Sequence, residues 1–408
     1  MTGSVAGVPV QVVELTRPLH PWSAARSDSC VWRRGDEGLL TWGEVCRFEP
    51  GTGQERFARA LVFLEEVLEP GDAHHPPVAL ASFTFDPEEP GSLVLVPAFV
   101  LRVSSAGCRL LIQGADDDWA RALEPRGEGA REETSGAAVL EDPEGARRAF
   151  VDAVAEAAAM VRSRSLAKVV LARSISLRSP GPLDTALIAR KLAARYPECF
   201  TFKVDGLVGA SPELLVRLQE RCIESLVLAG SLARGGNRAE DETLGERLLE
   251  SHKDRVEHDL AVSSLSEALA PLVEKLAIEP RPSLFRLANV QHLATRVTAT
   301  PAGHLDAHVL KLVEAAHPTA AVCGTPREEA LRVIRKLEPQ SRRRYAGPVG
   351  WLDAAGNGEF AIALRCAEIS GAEATLFAGA GIVAESEPEA ELMETDLKLQ
   401  AMLSALPL

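Results

Sequence analysis

The stretch VGWLDAAGNGEFAIALRCAEISGAEATLFAGAGIVAESEPEAELMETDLK, residues 349–398, decides the fold. Three runs rich in apolar and β-branched residues, Val349–Asp353, Glu359–Ile369 and Glu373–Ala378, read as strands that succeed one another before any helix intervenes. A helix is predicted after them, over 387–405. Upstream, strands are predicted at Lys168–Leu177, Phe200–Val204, Gly206–Ala210, Leu214–Leu218 and Ile223–Leu228. Helices fall at 144–164, Leu183–Tyr196, 240–278, 306–316 and 326–337. Strand pairs interrupted irregularly by helices argue for an α+β fold over a regularly alternating parallel one.

Residues 1 to about 114 alternate β-like runs, Val78–Phe85 and Leu93–Val103 among them, with one amphipathic helix, Glu55–Glu69. A polar, Gly-rich stretch from Asp116 to Ala138 reads as a linker or exposed loop. The chain therefore divides into a β-rich N-terminal part, 1–140, and a core, 141–408. A formal net charge of −14 argues against nucleic acid or an anionic membrane as the main partner. The longest apolar run, Leu93–Leu101, is interrupted by Pro97 and is too short to span a bilayer. No signal peptide is evident at the N-terminus. Seven cysteines without a C-x-x-C pair read as reduced thiols, and the expected location is the cytoplasm.

Several residues invite chemistry. Glu246, Glu250, Lys253 and Glu257 recur at helical spacing, and Glu387, Glu391, Glu394 and Lys398 repeat the pattern. On a helix each set lies along one face. Either both are solvated faces, or the stacked carboxylates hold a hard divalent cation. Gly379 and Gly381 precede a predicted helix start, with Ser386 and Glu389 as a capping pair. That turn either connects strand to helix or binds an anion on its backbone. Arg365, in an apolar strand pattern, needs a carboxylate, from an internal glutamate or from a ligand. Lys168 opens an apolar strand, as a solvated strand end or as a base. Glu213, after a Pro turn, is a turn carboxylate or a proton donor. His292 reads as structural. His304 and His308 have no third ligand near them in sequence, which makes zinc an unlikely occupant.

These strings resemble the chorismate-utilising enzyme family, and within it the isochorismate synthases. The matching blocks are KVVLAR (168–173), SPELL (211–215), LAGSLARGG (228–236) and SHKDRVEHDL (251–260). They continue through QHLAT (291–295), HPTAAVCGTP (317–326), RRYAGPVGW (343–351), GNGEFAIALRCAEI (356–369) and FAGAGIVAESEPEAELMET (377–395). Residues 1–140 match loosely.

The resemblance implies one chorismate-binding α+β domain, with large antiparallel sheets packed face to face and helices outside. It implies Mg2+ held by Glu257 and Glu394, with Glu391 accompanying them. Arg365 and the backbone at Gly381 match the grip on the enolpyruvyl carboxylate. Gly230, His292 and Tyr345 match other substrate-lining positions, and Lys398 faces the metal region. Lys168 matches the base that activates water for attack at C2, and Glu213 the acid that protonates the departing C4 hydroxyl. Ammonia-using relatives usually carry Gln in place of Lys168, and the aminodeoxychorismate type a Lys in place of Ala229, so no glutaminase partner is expected. Salicylate synthases share Lys168 and Glu213, which keeps pyruvate elimination as an alternative. Ala320, where many siderophore-pathway members have proline, favours the menaquinone branch.

Overall fold

The computed structural model describes residues 8–15, 22, 25–26, 28–68, 75–114, 138–141, 143–164, 166–303 and 307–407. The expected linker, up to residue 137, and His304 lie outside them. Among the described residues, twelve strands form one sheet and ten a second. One core joins their inner faces, with Trp32, Phe200 and Phe202 from the first sheet among Leu80, Val349 and Phe360 from the second. The Trp32 indole donates across the gap to Glu359 Oε1 at 2.7 Å.

Eight helices are described: α1 (Arg56–Val67), α2 (Pro143–Arg162), α3 (Thr185–Arg195), α4 (Arg238–Glu250), α5 (His252–Leu269), α6 (Val309–Ala316), α7 (Arg327–Leu337) and α8 (Pro388–Leu403). None is long and apolar enough to cross a membrane. Capping residues set several of their starts. Asp184 accepts from the backbone N–H groups of Ala186 and Leu187, and Asn237 from that of Glu240.

The N-terminal part is woven into both sheets. Val31–Arg33 pairs with Thr201–Lys203 in the first, and Val78–Ser82 with Val349–Asp353 in the second. The seven cysteines are present as thiols.

The chain passes between the sheets at two kinds of seam. In the C-terminal half, Leu207–Ser211 lies in the first sheet and Leu214–Gln219 in the second. The return runs from Gly358–Ile362 in the second to Cys366–Ser370 in the first. The two crossings bond to each other, Ala210 N–H to Arg365 O at 3.1 Å and Ile362 N–H to Glu213 O at 3.2 Å. The N-terminal half repeats the device at Gly43–Val45 and Pro97–Ala98, where Ala98 N–H donates to Gly43 O. Buried Gln113 clasps that seam, its side chain meeting the backbone of Val78 and the Pro97 carbonyl.

The structure corrects several expectations. The predicted strand 359–369 is two strands in different sheets, because the backbone turns left-handed at Arg365 (φ 48°). The run 93–103 divides likewise at Pro97. The helix predicted over 240–278 is α4, α5, a short 3-10 turn and the strand Val273–Ile278. Extended Ser251 ends α4 and caps α5, so Glu246 and Glu250 do not share a helix with Lys253 and Glu257. Gly379 and Gly381 lie inside the strand Glu373–Ile382 instead of beyond it. Ser386 does not cap α8; its hydroxyl accepts from Val383 N–H, and Glu387 takes the cap position without a side-chain bond.

Gln113→Ala orphans the backbone groups at the N-terminal seam. We expect a loss of about 2–3 kcal/mol in urea unfolding, from unpaired buried polar groups.

Candidate active site

A cavity of about 690 Å3, mouth included, opens beside the C-terminal crossings. Glu213, Leu364 and Arg365 reach it from the crossings themselves, and Gly230, Ser231 and His292 from the second sheet. Glu257 enters from α5, Glu394 and Lys398 from α8, Gly379 and Gly381 from the adjacent strand, and Tyr345 from the loop before Pro348. Two residues expected at the site stand behind its wall. Lys168 meets the lining residue Glu257, and Glu391 pairs with Lys253, which does not line the cavity.

Gly230 marks a register slip in the strand Cys222–Ala233, with φ 74°. A Cβ there would stand 3.0 Å from that of Asp254, which lets α5 approach the strand closely. Gly381 is tighter, since its Cβ would meet Glu257 Oε1 at 2.2 Å and Lys168 Cε at 3.0 Å. Absence of a side chain at Gly381 is what lets the lysine and glutamate meet.

Glu213 is 4% exposed. Burial pushes its carboxyl up from 4.5 to about 8, against the lowering pull of a backbone hydrogen bond at Leu228 and of Lys168, Lys398 and Arg365. It is therefore a protonated acid at neutral pH.

Arg365 is buried too. Its Nη2 stands 3.2 Å from His292 Nε2, and Nη1 has no hydrogen-bond partner. A guanidinium only donates, so Nε2 accepts and the imidazole proton sits on Nδ1, 3.0 Å from Ser231 Oγ. Burial and the Arg365 charge hold His292 neutral, well below its ordinary range. Of the two alternatives for Arg365, no internal glutamate pairs with it among the described residues; the imidazole takes one branch of the fork, and Nη1 of this cavity-lining residue is buried without a partner.

Three lysines meet three glutamates around the same region. Lys168 Nζ lies 3.0 Å from Glu257 Oε1, without the alignment of a good hydrogen bond. Lys253 donates to Glu391 at 2.9 Å, and Lys398 Nζ lies 2.5 Å from Glu394 while donating to Gly379 O at 2.8 Å. Burial works against ionisation of Glu257, but Lys168, with Lys398 and Lys253, outweighs it and holds the carboxyl below its ordinary range. Glu391 is raised, first by burial and then by the Glu394 charge. As these side chains lie, no three acidic, histidine or cysteine groups among the described residues come together closely enough to hold an ion.

Sequence reasoning missed Ser231, Phe377 and Arg342. Phe377 stacks on Tyr345 with ring centroids 5.2 Å apart. Arg342 is buried, bonding the Val322 and Val170 carbonyls and Glu338. In sequence it stands first in a run of three arginines, which resembles a surface patch.

A carboxyl raised in the folded state binds an extra proton there between its two pKa values. Glu213 thus contributes stability below pH 4.5 that is lost as the pH rises to about 8. Glu213→Gln should flatten the pH dependence of urea unfolding across that window. An unchanged slope would place the raised group elsewhere.

A family model described as chorismate binding enzyme matches residues 7–407. The salicylate biosynthesis isochorismate synthase of Pseudomonas aeruginosa is 37% identical, over 95% of this chain and 88% of its own. Isochorismate synthase MenF of Bacillus subtilis is 34% identical, over 86% of this chain and 79% of its own. Among solved structures, the menaquinone-specific isochorismate synthase MenF of Escherichia coli is similar with a TM-score of 0.82 at 26% identity, covering 99% of this chain and 96% of that one. The chain belongs to the chorismate binding enzyme family and groups within it with the isochorismate synthases.

Proposed function

We propose that this chain isomerises chorismate to isochorismate by adding water at C2 as the C4 hydroxyl departs. The observation that carries the reading is a buried carboxyl, Glu213, lining the same cavity as a buried guanidinium with an unused donor; burial raises that carboxyl to about 8 and so favours its protonated form. A hydroxyl leaves poorly as hydroxide, so Glu213 gives it a proton. Lys168, as the free amine released from its pair with Glu257, takes the proton of the attacking water. One water enters and one leaves, which conserves the composition of the ring. Arg365 Nη1 takes the enolpyruvyl carboxylate, with Tyr345, His292, Gly230 and the Gly381 backbone lining the remainder. Buried, fixed donors act more strongly here than they would in water.

Mg2+ belongs to the same reading. Glu257, Glu391 and Glu394 are the hard oxygen donors such an ion takes, and the mutual repulsion of Glu391 and Glu394 favours a cation between α5 and α8. Bound there, the ion supplies positive charge for the ring carboxylate. Lys398 stands at the same edge. Lys168 and Ala229 support water, not ammonia, as the nucleophile, without a glutaminase partner.

Ala320 and the MenF relatives support menaquinone formation as the destination of the product. The Pseudomonas aeruginosa relative favours a second one, supply to a salicylate pathway. Deleting the gene in its own organism and assaying menaquinone against salicylate separates them.

Purified protein with chorismate and Mg2+ should yield isochorismate without pyruvate, and metal removal should stop it. Salicylate with pyruvate would move the activity to elimination. The rate should fall as pH rises past about 8, when Glu213 loses its proton. Lys168→Ala should abolish turnover while chorismate binding persists; lost binding would contradict its role as base. Arg365→Ala should raise KM by about 10- to 100-fold, the worth of a charge-assisted bond to a carboxylate.

A further inference from the structure

The three lysine–glutamate pairs are not equivalent. Lys168 is fully buried at a strand start, and Lys398 is also tied to the Gly379 carbonyl. Lys253 stands in the first turn of α5, just past the break at Ser251, and its side chain is 36% exposed. Its partner Glu391 is only 3% exposed and sits on α8. Glu391, Glu257 and Glu394 all act on the Lys253 charge, so one ammonium faces the whole carboxylate group.

A buried carboxylate such as Glu391 is costly without a counter-charge, and the charge of Glu394 adds to that cost. Something cationic must stand there at all times. Lys168 is fully buried and Lys398 also bonds the Gly379 carbonyl, whereas Lys253 has a flexible stem and access to solvent.

We propose that Lys253 is the built-in counter-ion of Glu391, holding the α5–α8 carboxylates together until a divalent cation replaces it. The inference rests on the Mg2+ reading of the same glutamates. The lysine and the metal then compete for Glu391. Removing the lysine weakens the metal-free protein and tightens metal binding, the opposite of what loss of a supporting residue does.

The test uses Mn2+ as the metal probe, read by electron paramagnetic resonance, together with thermal unfolding in chelator and in Mg2+. Lys253→Met should lower the metal-free Tm by several degrees and recover it in saturating Mg2+. Its Mn2+ dissociation constant should fall by about fivefold or more, as the net charge of the group becomes more negative. Lys253→Arg keeps the charge and should stay near the original protein in both. If Lys253→Met unfolds without metal, Lys253→Gln, which keeps a polar end, should give the same changes at smaller size. Mn2+ binding that is unchanged or weaker in both uncharged variants, or a metal-free Tm that does not move, overturns the proposal. Failure of the original protein to bind Mn2+ at all would instead remove the metal reading, and the competition with it.

Discussion

Two crossings of the chain between its sheets hold this molecule together. At Ser211–Glu213 and Ala363–Arg365 the backbone leaves one sheet for the other, and the crossings close on each other through two backbone hydrogen bonds. A crossing inside a face-to-face pair of sheets puts polar backbone and side chains where the core would otherwise be apolar. That is tolerable only if each polar group finds a partner or a ligand. Glu213 meets the constraint by staying neutral. Arg365 meets it in part, with one donor on His292 and another left without a partner.

Electrostatics at the site follows from that burial. The protein carries a net charge of −14, yet Lys398 and Arg365 line the cavity and Lys168 stands behind its wall against Glu257. Neutral Glu213 and neutral His292 add no charge of their own. The negative groups, Glu257, Glu391 and Glu394, gather on α5 and α8, each against a lysine. One side of the site is thus positive, while the carboxylates of the neighbouring side are each matched by a lysine. A dianionic substrate in an acidic protein is no contradiction.

Glycines do the fitting. At Gly230 and Gly381 a single methyl group would separate α5 from the strands it must touch. Both positions were legible as glycines near functional blocks, but the atoms they admit were not. The same holds for Arg342, whose burial beneath Phe85 and against two strand carbonyls leaves no mark in a run of three arginines.

What the sequence alone determined was the family and the α+β class; of the residues it singled out, Glu213, Glu257, Arg365 and Glu394 are among those that line one cavity. Those rest on residue identity and order, and the blocks from 168 to 398 preserve both. Even so, two helix and strand readings failed for one reason. Periodicity in 240–278 and 359–369 is continuous, while Ser251 and Arg365 interrupt the backbone through dihedral angles that periodicity does not report. Tertiary structure alone decided which lysine faces which glutamate, that Glu213 is neutral, and which imidazole nitrogen holds the proton. Each of these depends on burial and on neighbours from distant segments, because solvation and charge act through space and not along the chain.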